Sequence, residues 1–503
     1  MVISTPCLQK MLQTLYTTYM HYYEVLVSSP QFHGTEALTY HYAEKLPIGT
    51  VVSVPLRHKT HLGLVVAAGK KPSYATKPIG VVLTSQPVPS TILSLLDWLH
   101  DFYPAPLGLI AQQALPSGLL LSKPPKIPEE NHNLPQPAPL PTLSPEQQQA
   151  FDSIEKSEQQ RFLLHGNTGT GKTRVYMELA KATIAAGKSV MIITPEIGLT
   201  PQLLASFTAH FAVEVIVLHS HQTPAERREQ WLRILYSTRP QIIVGPRSAL
   251  FAPVKDLGLV VVDEAHDGAL KQDKAPRYHA LRVAAKLAQL HNARFISGSA
   301  TPRISEYWLA EQTNTAILRM TELPNNKKIE RDVIRINLKD KDHFSQSSHL
   351  STELLQAIET ALQNKQQSLV FLNRRGTARL VLCQNCGWQA LCPICDLPLT
   401  YHGDHHEMRC HTCGYHAEPH TMCPECSSND IVFRSLGTKS LVAELQKFFP
   451  NAQIKRYDTD NTKEERIESQ YSAVAAGDVD IIVGTQLIAK GLDLPHLAVV
   501  GVV

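Results

Sequence analysis

The 503-residue sequence contains no apolar run long enough to cross a membrane. Its first twenty residues carry a single lysine and no continuous apolar stretch, so we expect no secretory signal peptide. A strong charge bias is also missing, because the formal net charge is only +3. Such a balance permits a nucleic-acid partner without requiring one. We therefore expect a protein of the cytoplasm that has no membrane partner.

Cysteine is nearly absent outside one short segment. Eight of the nine cysteines lie between residues 383 and 426, in four Cys-x-x-Cys pairs. In a reducing compartment this pattern indicates metal binding rather than disulfides. Each pair presents two thiolates on one turn, and two pairs complete a tetrahedral zinc site with no open position, so we predict two structural Zn²⁺ ions. The predicted ligands are Cys383, Cys386, Cys392, Cys395, Cys410, Cys413, Cys423 and Cys426.

A glycine-rich segment, GNTGTGKT at residues 166–173, matches the pattern G-x-x-x-x-G-K-[ST]. A predicted strand precedes it, and a helix-compatible run follows from Lys172. Backbone N–H groups of such a turn point at phosphate, and the helix dipole adds positive potential. We predict that ATP binds here, with Lys172 on its β- and γ-phosphates and Thr173 on Mg²⁺. The predicted nucleotide-binding residues of this segment are Gly166, Gly169, Thr170, Gly171, Lys172 and Thr173.

A second predicted strand, at residues 259–263, leads into two acids, Asp263 and Glu264, within the run LVVVDEAH. An acidic pair at the tip of a buried strand is costly unless a metal ion or a water uses it. We predict that Asp263 holds Mg²⁺ through its water shell, and that Glu264 orients and deprotonates the attacking water. Lys172, Asp263 and Glu264 are therefore the predicted catalytic residues.

The chain reads as several structural regions. Residues 22–68 are β-rich and predict a small barrel or curled sheet, and residues 92–114 have helical spacing. Seven prolines between residues 124 and 141 then indicate a semi-extended linker. Beyond the linker, apolar runs alternate with helical stretches, which predicts a parallel sheet covered on both faces.

Further motifs follow in a fixed order around GNTGTGKT and DEAH. They are TPEIGLTPQ (194–202), GPRSALFAP (245–253), KQDKAPRYHA (271–280), SGSATP (297–302), FLNRRGTA (371–378) and GTQLIAKGLDLP (484–495). Together with the cysteine pairs, they resemble the superfamily 2 helicases and, more narrowly, the family of bacterial primosomal protein N′, the replication-restart helicase PriA. The resemblance covers nearly the whole chain from about Tyr22.

The resemblance implies further roles in the use of ATP. Gln147 would read adenine, and Gly491 and Asp493 would contact the ribose and triphosphate edge. The residues that would couple hydrolysis to closure of the two lobes are Ser299, Ala300 and Thr301. The resemblance also favours nested zinc sites, in which the outer cysteine pairs share one ion and the inner pairs share the other, although consecutive pairing is geometrically possible.

The resemblance places DNA contacts on lobe 1. The implied residues are Thr194, Pro195, Arg247, Lys271, Arg277 and Tyr278. The first three would lie along the DNA backbone, where contacts carry no sequence information. Residues 271–278 resemble a loop that senses single strands by base stacking, but Tyr278 is their only aromatic residue. A mixed basic loop without stacking is therefore an alternative.

The implied fold class is α/β, with two RecA-like parallel-sheet lobes, the second incomplete, an N-terminal β-rich domain and a two-zinc insert with four cysteine ligands for each ion. The run IVFRSL at 431–436 is predicted to be a strand of the second lobe. The predicted divisions are an N-terminal DNA-binding domain with short helices (1–120), the linker (121–142), lobe 1 (143–325), the first part of lobe 2 (326–382), the insert (383–426) and the second part of lobe 2 (427–503). Met20 is a candidate start, and a winged-helix domain between the N-terminal domain and lobe 1 is expected to be missing or vestigial.

The resemblance implies an ATP hydrolase and 3′→5′ DNA helicase of replication restart and primosome assembly, which binds stalled or forked DNA by structure. Its implied partners are forked or single-stranded DNA, primosome proteins, single-strand DNA-binding protein and the replicative helicase. The sequence ends at Val503, before a Q-x-x-G-R-x-G-R run that relatives carry. We therefore expect either a fragment or a natural truncation. The alternative function is a catalytically impaired scaffold that binds forks and recruits primosome proteins without unwinding.

Overall fold

The structure is a computed structural model in which the chain divides into two compact units, Met1–Ile329 and Glu330–Val503. Within the ranges that it describes, no helix combines the length and the apolar character that a membrane crossing needs. The predicted domain boundaries stay predictions. The described residues are 20–121, 136–195, 200–219, 222–313, 315–324, 332–338, 340–347, 349–372, 379–402, 406–410, 412–434, 437–457, 467–485 and 494–503.

A five-stranded sheet begins the first unit, in the order β3-β4-β1-β2-β5. Its strands are β1 (His21–Ser28), β2 (Leu38–Tyr42), β3 (Val51–Leu56), β4 (Lys59–Gly69) and β5 (Lys77–Pro78). β5 pairs with β2, and the residues just beyond it bond to β3, where Ser53 N donates to Val81 O over 2.8 Å. Residues 77–81 thus bond both to β2 and to the edge strand β3 at the other side of the sheet, which agrees with the predicted curled sheet.

Two helices connect this sheet to the rest of the unit, α1 (Ser90–Phe102) and α2 (Leu107–Ala114). The buried residues of α1 recur at helical spacing: Ile92, Leu95, Leu96 and Leu99. They give the helix one apolar face, which packs into the main core of the unit. α1 also packs against a later helix, α7 (Ala280–His291).

A seven-stranded parallel sheet forms the larger part of the first unit, in the order β12-β6-β11-β10-β7-β9-β8. Its strands are β6 (Arg161–Gly166), β7 (Ser189–Ile193), β8 (Glu214–Val217), β9 (Gln241–Gly245), β10 (Leu257–Val262), β11 (Arg294–Ser299) and β12 (Ala316–Met320). With α7, its helices are α3 (Pro145–Glu155), α4 (Lys172–Ala185), α5 (Thr200–His210), α6 (Pro224–Tyr236) and α8 (Ile304–Gln312). The central strands β7, β9 and β10 are almost wholly buried, which explains their continuous apolar sequences. The edge strand β12, which is mostly half-buried, was not predicted.

The second unit contains a four-stranded parallel sheet in the order β19-β20-β13-β21. Its strands are β13 (Gln367–Phe371), β19 (Ile454–Tyr457), β20 (Ile481–Gly484) and β21 (Leu497–Val502), and the helices of this unit are α9 (Thr352–Gln363), α10 (Thr438–Phe448) and α11 (Ile467–Ala476). The two parallel sheets, the N-terminal sheet and the cysteine insert confirm the predicted fold class.

The run at 431–436 was assigned to the wrong sheet. Its strand, β18 (Ile431–Arg434), pairs antiparallel with β14 (Arg379–Cys383) rather than with the parallel sheet. The two strands frame the cysteine segment and form one sheet with β15 (Thr400–His402), β16 (Glu407–Arg409) and β17 (His416–Ala417), in the order β17-β16-β15-β14-β18. The insert therefore has its own sheet, which begins before the first cysteine and ends after the last one.

Candidate functional site

The predicted phosphate loop lies at the carboxyl end of β6, where that strand gives way to α4. Gly169 and Gly171 have φ angles of +86° and +78°, in the left-handed region that glycine adopts without steric cost. The turn therefore depends on glycine at both positions. Lys172 Nζ donates to the carbonyl oxygen of Gly166 over 2.9 Å, so its side chain folds back across the loop. Thr173 follows in the first turn of α4.

Gln147 ties the loop to the start of α3. Its side chain is only 3% exposed. Gln147 Oε1 accepts a hydrogen bond from Ser144 N over 2.9 Å, and Nε2 donates to Thr170 O over 2.9 Å. The first bond belongs to a capping box, and the second bond reaches the phosphate loop. The amide thus positions the loop in this structure, and its predicted contact with adenine stays a prediction.

The predicted acids lie at the carboxyl end of β10, on the same edge of the sheet as the phosphate loop, with β11 between β10 and β6. Asp263 N donates to Ile193 O over 2.8 Å, which continues the pairing with β7. Burial raises the pKa of Asp263 to about 6, and the charge of Glu264 acts in the same direction. The charge of Lys172 opposes both effects. Glu264 has a φ of +47°, a conformation that non-glycine residues adopt rarely and that is enriched at functional sites.

Tyr176 is a site residue that the sequence interpretation missed. It is fully buried in α4, and its hydroxyl donates to Asp263 Oδ1 over 3.1 Å. Burial raises the pKa of Tyr176 well above its usual range, so the phenol stays protonated and remains a donor. A Cβ atom added at Gly298 would lie 1.7 Å from the Tyr176 hydroxyl oxygen, so the glycine of SGSATP leaves room for the phenol. The available signal was spacing, because a residue four positions after Lys172 shares its helix face.

The predicted coupling residues lie where β11 ends. His266 Nδ1 lies 2.8 Å from Ser299 Oγ, and Thr301 N donates to the same oxygen over 3.0 Å. Ala300 lies between Ser299 and Thr301 in the sequence. His266 Nδ1 also lies 3.4 Å from Glu264 Oε2. A continuous chain of polar contacts therefore runs from the second acid to the motif at the end of β11, and the coupling role of these residues stays a prediction.

The predicted contacts to the DNA backbone lie at neighbouring strand ends. Thr194 and Pro195 directly follow β7, and Thr194 N donates to Gly245 O over 3.0 Å at the end of β9. Arg247 begins the short 3-10 helix after β9, and its Nη1 donates to Ala269 O and Lys271 O. The structure thus places these three predicted residues near the same sheet edge as the phosphate loop.

The predicted stacking role of Tyr278 is wrong in this structure. Its ring is 1% exposed and packs against Phe251, with ring centroids 5.4 Å apart and an interplanar angle of 77°. An aromatic ring gains more from burial in a core than from solvent exposure, so Tyr278 anchors its loop instead of offering a face to a base. Lys271 and Arg277 of the same loop are exposed, which agrees with the alternative of a basic loop. Gly491 and Asp493, the two ATP contacts predicted in lobe 2, lie outside the described residues.

The four Cys-x-x-Cys pairs form four turns of the same kind. In each turn the carbonyl of the first cysteine accepts a hydrogen bond from the backbone N–H four residues later. That fourth residue has positive φ in every case, at Gly387, Asp396, Gly414 and Ser427. Backbone N–H groups lower the pKa of Cys410 and of Cys426, which favours one thiolate in each group. The hydrogen bond between Cys395 and Cys410 raises the pKa of Cys395.

The eight thiols fall into two groups, in the nested arrangement. Within each group all the sulfur atoms lie within 4.8 Å of one another, and the described residues contain no other such cluster of metal-binding side chains. One group is Cys383, Cys386, Cys423 and Cys426, and the other is Cys392, Cys395, Cys410 and Cys413. Four thiols at this separation fit a tetrahedral zinc ion, and no zinc coordination position then remains for a substrate.

Three family models match parts of this chain. A DEAD/DEAH box helicase model matches residues 144–307, and a model of a 3′ DNA-binding domain, the 3′BD of PriA, matches residues 24–116. A model of the Cys-rich region of PriA DNA helicase matches residues 392–417. The matches fall on the seven-stranded sheet, the N-terminal sheet with α1 and α2, and the inner cysteine pairs.

Curated relatives match over longer stretches. The replication restart protein PriA of Rickettsia felis is 35% identical over 467 residues, covering 91% of this chain and 70% of that protein. PriA of Bacillus subtilis is 38% identical over 370 residues, covering 72% of this chain and 46% of that protein. The chain thus spans about half to two thirds of the length of such relatives. Among solved structures, the Mycobacterium smegmatis helicase Lhr bound to ssDNA and AMP-PNP shares 17% identity with a TM-score of 0.45, covering 71% of this chain and 42% of Lhr, so the fold assignment depends on the sheet orders above.

We expect Asp263→Asn to stabilise the folded chain at neutral pH in buffer without Mg²⁺ or nucleotide. The folded carboxyl has a pKa of about 6 and its usual value is 3.8, so it binds its proton more tightly when folded. Ionisation of Asp263 therefore lowers the free energy of unfolding. The loss is zero below both pKa values, grows between them and reaches about 3 kcal/mol above pH 6.

Unfolding of both proteins by urea between pH 4 and pH 8 measures this difference. The stability advantage of the variant should grow from about pH 4 and level off above about pH 6. Asp273→Asn, at an exposed position of the same unit, is the matched control. A difference that stays constant with pH would contradict the assignment.

Proposed function

This chain belongs to the PriA family of replication restart proteins, and from that membership we propose that it is an ATP-dependent DNA helicase that unwinds in the 3′→5′ direction. Its proposed role is replication restart and primosome assembly at stalled or forked DNA, in the cytoplasm. The observation that carries the proposal is that Lys172, Asp263 and Glu264 lie at the same carboxyl edge of the sheet, where Lys172 follows β6 and the two acids follow β10. In open parallel sheets, ligands bind at this edge.

Different residues at this edge would have different roles in phosphoryl transfer. The loop N–H groups and Lys172 would bind the β- and γ-phosphates, which requires Lys172 to release the Gly166 carbonyl. Thr173 and Asp263 would hold Mg²⁺, which when bound neutralises the developing charge on the phosphates. Tyr176 would orient Asp263 through one carboxylate oxygen and leave the other oxygen free for the water shell of the ion. The Asp263 side chain would thus be held in place before nucleotide arrives.

Glu264 would orient the attacking water and accept its proton. Its neighbour His266 contacts both Glu264 and Ser299, so a change at the hydrolytic site would reach the end of β11 through three side chains. We propose this route for coupling hydrolysis to movement along DNA. A scaffold that binds forks without unwinding is not favoured, because this edge of the sheet brings the predicted catalytic side chains together.

The remaining parts of the proposal concern DNA, metal and protein partners. The N-terminal sheet with α1 and α2 would bind DNA, because the family model that matches it is described as a 3′ DNA-binding domain. We propose two Zn²⁺ ions, one for each group of four thiols. Primosome proteins, single-strand DNA-binding protein and the replicative helicase are the proposed partners.

We expect Lys172→Ala to reduce DNA-stimulated ATP hydrolysis by about 100-fold or more, because the phosphates lose a charge contact that is strongest in the transition state. Phosphate release with and without a single-stranded oligonucleotide measures the effect. Lys181→Ala, at an exposed position of the same helix, is the matched control and should retain activity. Hydrolysis by the unaltered chain no faster than that of Lys172→Ala would overturn the helicase proposal.

We also expect two zinc ions per chain by elemental analysis of the purified protein. Cys386→Ser and Cys395→Ser should each remove one ion, because each changes a different thiol group. Cys7→Ser, which lies outside both groups, should leave two. Loss of both ions in either single variant would show that the two groups do not bind metal independently.

A further inference from the structure

Three aromatic side chains form a cluster at the carboxyl end of α1. The rings of Trp98 and Phe102 are stacked, with centroids 5.1 Å apart and an interplanar angle of 18°. The ring of Tyr103 meets both nearly edge-on, at 6.1 Å from Trp98 and 5.0 Å from Phe102. Phe102 is 57% exposed, although a ring of this size is usually buried. We call these three residues the α1 aromatic cluster.

The cluster touches both ends of the loop at residues 271–279, which contains the predicted DNA-sensing residues 271–278. Lys271 Nζ lies 5.5 Å from the centroid of the Tyr103 ring, within the range of a cation–π contact. His279 N donates to the Tyr103 hydroxyl oxygen over 3.2 Å. Lys271 and His279 also pair with each other as an isolated β-bridge, so the loop closes directly against Tyr103.

The loop supplies positive charge next to this aromatic surface. Lys271, Lys274 and Arg277 are exposed in it. Burial lowers the pKa of His279 to about 4, and the positive charges of Arg303, Lys271 and Arg282 lower it further, which shows how closely cations surround the base of the loop. A phosphate group would be attracted to such a field.

Three acids lie in the same region. Asp97 and Asp101 belong to α1, and Asp273 belongs to the loop. Around the helix, Asp101 lies about 60° from Trp98, but Phe102 lies about 100° from Asp101 and about 140° from Asp97. Neither carboxylate therefore shares the helix face of the exposed Phe102 ring. The Phe102 ring and the loop cations form a surface that is both aromatic and basic.

We propose that the α1 aromatic cluster and the loop at 271–279 form one binding site for single-stranded DNA, in which a base stacks on Phe102 and the loop cations bind the flanking phosphates. Sites that hold single strands without sequence preference combine these two features. Because Tyr278 faces the core, the loop offers no ring of its own, and α1 supplies the aromatic face instead. Single strands fit better than duplex DNA, whose bases are already stacked in pairs. The inference rests on the proposed function only in taking DNA as the ligand.

Fluorescence anisotropy with a labelled oligo-dT tests the site. Phe102→Leu should weaken binding about 5- to 100-fold, because leucine keeps apolar bulk and loses the π face. Phe102→Tyr should bind within about twofold of the unaltered chain, since its ring can still stack. Trp308→Leu removes a ring that is 60% exposed on α8, outside the cluster, and should have no effect.

An abasic oligonucleotide of the same length isolates the contribution of base stacking to the affinity. The unaltered chain should bind it about as weakly as Phe102→Leu binds oligo-dT. Phe102→Leu should bind the abasic oligonucleotide only slightly more weakly than it binds oligo-dT. Lys274→Gln should lower affinity for both oligonucleotides and reduce the salt dependence by about 0.7 in the log–log slope, as expected for one phosphate contact to a single strand.

Equal binding of oligo-dT by Phe102→Leu and the unaltered chain would overturn the inference while leaving the proposed function intact. A loss on both oligonucleotides in equal proportion would also overturn it, because no base would then be stacked on the ring. A fall of several degrees in the thermal unfolding midpoint of Phe102→Leu would also overturn the inference, because it would mean that the ring packs against another part of the chain. Failure of the unaltered chain to bind any DNA would contradict the proposed function itself.

Discussion

A partly buried carboxylate is the constraint on which the first unit depends. Asp263 lies at a strand end where burial alone disfavours its charge, and three features compensate: the nearby Lys172 cation, the Tyr176 hydroxyl and the absence of a side chain at Gly298. These residues belong to three motifs that are far apart in sequence. A parallel sheet brings them together because its strands all end at one edge. A cation that binds there would offset the remaining cost of this charge, which links folding of this edge to its proposed chemistry.

The cysteine segment of the second unit depends on a different source of stability. Its cysteine segment has short strands and a small core, so apolar burial alone cannot order it. Four equivalent turns present the thiols, and β14 and β18 frame them in an antiparallel sheet of their own. The metal would therefore supply folding energy rather than catalysis. This arrangement explains why the segment can interrupt a parallel sheet without joining it.

Local patterns in the sequence predicted the features that have local causes. The phosphate loop, the acids after β10 and the alternation of strands and helices follow from glycine placement and apolar periodicity. Three features needed tertiary information. Tyr278 was expected to be exposed, but it packs against Phe251, and no pattern within the loop reports that contact. Tyr176 has the spacing of an ordinary core residue, and its partner Asp263 is 87 positions away. The strand at 431–434 has an apolar sequence that fits either sheet, and only its antiparallel pairing with β14 decides between them.

We propose that the Asp263 carboxylate, held by Tyr176 and close to the charge of Lys172, completes a site for ATP with Mg²⁺. The most direct test is the affinity for a fluorescent ATP analogue, measured with and without Mg²⁺ in the unaltered chain and in Asp263→Asn. We expect Mg²⁺ to tighten binding about tenfold or more in the unaltered chain and much less in the variant. An equal effect of Mg²⁺ on both proteins, or no effect on either, would contradict it.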